Sequence, residues 1–190
     1  EESLELYCKV YGYGHQKAAR SLQNIGIIFC QGGNWTVGMA RFKDALKIYQ
    51  EDERSTPTEG SAEILCWIGN AYREQGFLEK ALKYFNAAKQ AQEELYGDTS
   101  SHVAETLQNL AVIHEDRGEY EKSLKRYRDC YTIREKLYGD QHEEICDVLT
   151  GIGNVYRSME KVDMALKFMK QSLSIRLSLV AESQPDILQR

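Results

Sequence analysis

Two periods of apolar residues are superposed along this chain. The shorter is helical. In residues 102–116, Val103, Leu107, Leu110, Ala111 and His114 recur at the three- and four-residue steps of one helix face. Gly118 then turns the chain. Tyr120 to Tyr138 read as a second, antiparallel helix with Tyr120, Ser123, Leu124, Tyr127, Cys130, Tyr131, Arg134 and Leu137 on its inner face. The longer period is about 42 residues: Leu22, Leu65, Leu107 and Leu149 stand 43, 42 and 42 apart. Columns in register with them are Ile25, Ile68, Leu110, Ile152; Gly26, Gly69, Ala111, Gly153; and Phe29, Tyr72, His114, Tyr156. After Gly33, Gly76, Gly118, Glu160 come Trp35, Leu78, Tyr120, Val162, then the small Gly38, Ala81, Ser123, Ala165. Phe42, Phe85, Tyr127, Met169 and a second small set, Ala45, Ala88, Cys130, Ser172, complete them. Only His114 and Glu160 break the residue type of their columns. A period of this length signals stacked helix pairs, each burying its apolar face against its neighbours.

Repeat boundaries, set seven residues before each anchor leucine, fall at His15, Thr58, Ser100, His142 and Gln184. This divides residues 1–190 into one solenoid with four full repeats, 15–57, 58–99, 100–141 and 142–183. Residues 1–14 read as the end of a preceding repeat and 184–190 as the start of a further one, so the chain is expected to be part of a longer array. Tyr-Gly pairs at Gly12, Gly97 and Gly139 are expected to end second helices through a left-handed C-cap. The stretch Glu51–Ser61 carries a one-residue insertion and the weakest periodicity, and is expected to be an exposed, mobile loop.

Composition narrows the function classes. Net charge is −5 and 28 % of residues are charged, with no basic stripe of the kind that displaces counterions from nucleic acid. No apolar run is long enough to cross a bilayer. The five cysteines (Cys8, Cys30, Cys66, Cys130, Cys146) follow no metal or disulfide spacing, which suits reduced thiols inside a cell, with a cytoplasmic location expected.

The repeat pattern resembles the tetratricopeptide repeat, whose usual length is about 34 residues. Its 42-residue spacing resembles the kinesin light chain group, on two phrases. One is Ile133-Arg134-Glu135-Lys136-Leu137-Tyr138-Gly139-Asp140-Gln141-His142; the other is Thr106-Leu107-Gln108-Asn109-Leu110-Ala111. The resemblance implies an all-α, right-handed superhelical solenoid of antiparallel helix pairs. It also implies a concave face, lined by first helices, that holds a peptide from a partner protein.

Offsets +2, +5 and +8 from the anchor leucine are expected on that face. The first two supply one asparagine per repeat: Asn24, Asn70, Asn109 and Asn154. An amide offers both donor and acceptor to a peptide backbone, and the resemblance implies a backbone clamp here. The third offset supplies Arg73 and Arg157, which would favour an acidic or C-terminal carboxylate ligand, although Glu63, Glu105 and Asp147 make part of the groove acidic. Trp67 is either a ligand anchor or a packing residue between repeats.

Other signals point elsewhere. His142 and Cys146 lack the second pair a tetrahedral metal site needs. His114-Glu115-Asp116 lacks a nucleophile, and Asn34-Trp35-Thr36 matches a glycosylation sequon at a tight turn. No catalytic residue, metal or cofactor is expected. The expected function is a scaffold or adaptor that binds a protein or peptide, without nucleic acid and without membrane insertion. The alternatives are a permanent subunit of a large complex or a regulatory array in a larger chain.

Overall fold

The structure, a computed structural model, describes residues 15–51 and 56–183. The expected half-helix before residue 15, residues 52–55 of the stretch with the one-residue insertion, and the expected new repeat from Gln184 lie outside the described residues. Among those described there are eight α-helices and no strand. They are α1 (Gln16–Gln31), α2 (Trp35–Glu51), α3 (Glu59–Glu74), α4 (Leu78–Tyr96), α5 (Ser101–Asp116), α6 (Tyr120–Tyr138), α7 (Glu143–Ser158) and α8 (Val162–Ser183). The chain divides into two compact units at Gly97 and Asp98. Unit 1 holds α1–α4 and unit 2 holds α5–α8. Each unit is two helical hairpins packed side by side, the all-α repeat architecture expected from the pattern.

First helices start on side-chain caps. His15 Nδ1 accepts from Lys17 N–H at 3.1 Å, Ser100 Oγ from Val103 N–H at 3.4 Å, and His142 Nδ1 from Glu144 N–H at 3.2 Å. Thr58 and Ser61 form a reciprocal capping box, at 3.1 and 2.9 Å. Each cap satisfies an otherwise orphaned backbone donor. The Thr58 box also corrects the loop expected over Glu51–Ser61, since α2 runs to Glu51 and Glu59–Ser61 form the first turn of α3. A Thr-x-x-Ser box supplies the start signal that hydrophobic periodicity lacked there.

Inside each hairpin the small column meets the aromatic column. A Cβ built on Gly69 would lie 2.8 Å from the Phe85 ring, and Phe85 is fully buried. Burial of such a ring contributes about 1.5–3 kcal/mol, so the bare backbone at Gly69 is what lets α3 and α4 close on it. Successive hairpins share cores. In unit 1 Phe42, Ala45, Ile64 and Ile68 pack together; in unit 2 Leu124, Tyr127, Val148 and Ile152 do. Leu137, expected on the inner face of α6, is exposed. The 19-residue α6 outruns the 16-residue α5, so the last turn of α6 extends past its hairpin partner.

The turns between paired helices need a positive φ. Gly33, Gly76 and Gly118 take 78°, 76° and 70°, and Glu160 adopts 61° at the same place. A non-glycine residue there is strained by about 1–2 kcal/mol. At the ends of α4 and α6, Gly97 and Gly139 have φ of 82° and 83° but ψ of 164° and 174°. The expected left-handed cap is thus replaced by an extended, positive-φ turn that is open essentially to glycine alone.

The repeats also alternate in pairs. Tyr72 stacks on Tyr84 in the second repeat and Tyr156 on Phe168 in the fourth, both at 5.4 Å between centroids. In the first and third repeats the partner position is Arg41 or Arg126, each 3.7 Å from an aspartate one turn on, Asp44 or Asp129. Each unit therefore carries one repeat of either kind.

Candidate functional site

In each unit a cleft opens between the two first helices, floored by a side chain from the second helix that joins them. The unit 1 cleft is about 290 Å³. Its α1 wall carries Lys17, Arg20 and Gln23, and its α3 wall carries Glu59, Gly60 and Glu63. Tyr49 of α2 forms the floor. Its ring end rests on the α3 backbone at Gly60, where a built Cβ would come within 2.4 Å of both Cζ and the hydroxyl oxygen. Burial raises the Tyr49 pKa above the usual phenol range; Arg20 opposes the shift, while Glu63 and Glu59 add to it.

The unit 2 cleft occupies the same register and is larger, about 500 Å³. His102, Glu105 and Asn109 line it from α5, Glu144 and Asp147 from α7, and Arg134 of α6 takes the place of Tyr49. Arg134 is nearly buried. Its Nη2 is 2.7 Å from Glu144 Oε2, and its Nη1 donates to the Glu144 carbonyl oxygen at 3.1 Å. Asp147 accepts a 2.7 Å bond from Arg176 of α8. The cleft therefore shows a surplus of carboxylates with its main cation already engaged.

Fold and clefts together are those of a repeat array built from helical hairpins, and the sequence carries the matching signature. Residues 60–136 and 104–178 match the tetratricopeptide repeat family. The chain belongs to the tetratricopeptide repeat family. No curated protein matches it in sequence. Among solved structures it is similar to BtubC (BKLC) from P. vanneervenii, with 21 % identity, TM-score 0.79, and coverage of 93 % of this chain and 70 % of that one. It is also similar to a Podosopora anserina protein described as a kinesin light chain with nearly identical TPR-like repeats. That match has 13 % identity, TM-score 0.78, and 96 % and 84 % coverage. Aspartyl phosphate phosphatase F from Bacillus subtilis shares the fold at 13 % identity and TM-score 0.71, over 90 % of this chain and 42 % of its own. The kinesin light chain resemblance read from the sequence is thus matched in the fold. No helix among the described residues is long and apolar enough to cross a membrane.

Within this tetratricopeptide array the residues expected to bind are only partly gathered. Asn24 is exposed on α1, whereas Trp67, Asn70 and Arg73 share α3. Trp67 is half-buried and stacks on Phe42 of α2, with centroids 6.3 Å apart and planes at 25°, so it packs the junction between hairpins. Gly151 is at the equivalent position in unit 2, where a Cβ would meet the Tyr127 ring at 2.5 Å. Arg73 donates through Nη2 to Glu74 at 2.8 Å. Asn70 and Asn154 are half-buried and Arg157 is exposed. Asn109 lines the unit 2 cleft, and its amide nitrogen donates to the Glu105 carbonyl at 3.2 Å.

The cleft floor escaped the sequence reading. A signal existed: the column Tyr49, Gln92, Arg134, Arg176 has a polar tip in every repeat on an otherwise apolar helix face. His142 is an N-cap whose ring stacks on Tyr138 at 4.5 Å. His114 Nδ1 shares a 2.7 Å hydrogen bond with Glu119 Oε2. The hydrogen bonds from His114 and Lys122 hold the Glu119 carboxyl below its usual range. Asn34 Oδ1 accepts from Val37 N–H at 3.4 Å and so caps α2.

Proposed function

We propose that this tetratricopeptide array is a non-catalytic scaffold or adaptor that captures a peptide from a partner protein, in the manner of kinesin light chains, inside the cell. The observation that carries this reading is the recurrence of a polar cleft between first helices at the same register in both units. A groove with regularly spaced amides and charges suits an extended ligand, because the same main-chain contacts can repeat along it. Within each unit a half-buried asparagine lies seven residues, about two turns, beyond a cleft carboxylate on the same helix face, Asn70 after Glu63 and Asn154 after Asp147, and the exposed Arg157 offers a site for a carboxylate. The engaged Arg134 and the carboxylates of the unit 2 cleft favour a ligand that is not uniformly acidic. The test is a peptide-array screen of the wild type against Asn70→Ala/Asn154→Ala. Loss of binding with unchanged helicity is expected; an identical binding profile would count against the groove.

A further inference from the structure

The two clefts differ in one respect that points to a ligand. In unit 2 the floor residue, Arg134, satisfies its guanidinium on Glu144. In unit 1 the floor and the α1 wall beside it hold polar groups left unspent. Gln23 is only 3 % exposed and Tyr49 only 9 %, yet neither side chain makes a hydrogen bond among the described residues. Buried amides and phenols are normally paired, since leaving them unpaired forfeits their hydration. Among the described residues the only fully enclosed unpaired side-chain atom is Ser123 Oγ. The polar atoms of Gln23 and Tyr49 are therefore not sealed in; they open on the cleft that both residues line.

We propose that the unit 1 cleft is the gripping point of the array, seating the main chain of an extended peptide on Gln23 and Tyr49. This rests on the peptide-capture reading above and specifies its ligand. The Gln23 amide can donate to a peptide carbonyl and accept from a peptide N–H, while the Tyr49 hydroxyl donates to a second carbonyl. The walls set the side chains. Lys17 and Arg20 stand on α1, and Glu59 and Glu63 on α3. Successive side chains of an extended chain point to opposite sides, so the fitting ligand carries neighbouring acidic and basic residues, one for each wall.

The experiment is selection of phage-displayed random heptapeptides on the full chain. One enriched peptide is then synthesised and titrated into wild type, Gln23→Leu, Tyr49→Phe and Lys125→Ala. The enriched peptide should contain adjacent opposite charges. Its Kd should rise about tenfold in Gln23→Leu and several-fold in Tyr49→Phe, which removes only the hydroxyl, and stay within about twofold in Lys125→Ala. The urea midpoint of ligand-free Gln23→Leu should equal or exceed that of the wild type, because an unpaired buried amide has gone. A peptide that binds wild type, Gln23→Leu and Tyr49→Phe alike would overturn this pocket and leave peptide capture elsewhere on the array standing. Absence of any enriched peptide would overturn both. A lowered midpoint for Gln23→Leu would also overturn the assignment, since the amide would then be serving the fold.

Discussion

Gly38→Ala sets the repeat consensus against the packing of one repeat. The other three copies carry Ala81, Ser123 and Ala165 at this position, and alanine is a better helix former than glycine by about 0.8–1 kcal/mol. Consensus alone therefore expects a more stable protein. The structure expects the opposite. A Cβ on Gly38 would lie 2.3 Å from Cys30 Sγ and 2.8 Å from the backbone oxygen of Gly26. The first distance is about 1 Å or more inside ordinary contact, and the second involves backbone that cannot rotate away. Cys30 is 4 % exposed, so its sulfur has little room to retreat. Two approaches under 3 Å, one of them to backbone, put the cost in the upper part of the usual overpacking range, about 2–3 kcal/mol, which outweighs the helical gain and leaves a net loss of about 1–2 kcal/mol. For a chain of this length that lowers Tm by roughly 2–8 °C. The assay is thermal and urea unfolding followed by circular dichroism, with Cys30→Ala and the double variant completing a cycle. Cys30→Ala should restore only part of the loss, because the Gly26 carbonyl remains, and the cycle should show coupling. A Gly38→Ala protein as stable as wild type or more so would refute the argument that α1 and α2 are held at glycine spacing.

Three further outcomes are expected. Glu160→Gly should raise stability by about 0.5–1 kcal/mol in the same assay, as relief of the 61° φ exceeds the added freedom of the unfolded chain. Arg134→Met should cost about 1–2 kcal/mol in urea unfolding; the loss is less than for a fully buried pair because Glu144, whose side chain is 41 % exposed, can return to water. Burial pushes the Cys130 thiol up to about 11. A folded pKa raised above the ordinary 9 contributes stability that is whole below pH 9 and lost as pH rises toward 11. Cys130→Ala, with the residue found at Ala45 and Ala88, should therefore flatten the fall in urea midpoint between pH 8.5 and 10.5, a difference of about 2 kcal/mol.

The sequence by itself determined the helices, their pairing and the family. Those features depend on periodicity, on small residues where helices touch, and on glycines at turns, all of which recur every 42 or so positions and can be read by aligning the chain with itself. It also exposed the exception at Glu160, whose strain follows from a column of glycines. Capping was less legible: His15, Thr58, Ser100 and His142 are chemically different, and only the geometry shows that each does the same work at a helix start. Tertiary structure alone decided which polar groups are spent. Trp67 is committed to Phe42, Arg73 to Glu74 and Arg134 to Glu144, while Gln23 and Tyr49 are buried without hydrogen bonds among the described residues. Periodicity fixes which side of a helix a residue occupies, because that side follows from backbone geometry within one helix. Whether a side chain finds a partner depends on the neighbouring hairpin, whose approach is set by packing between residues tens of positions apart.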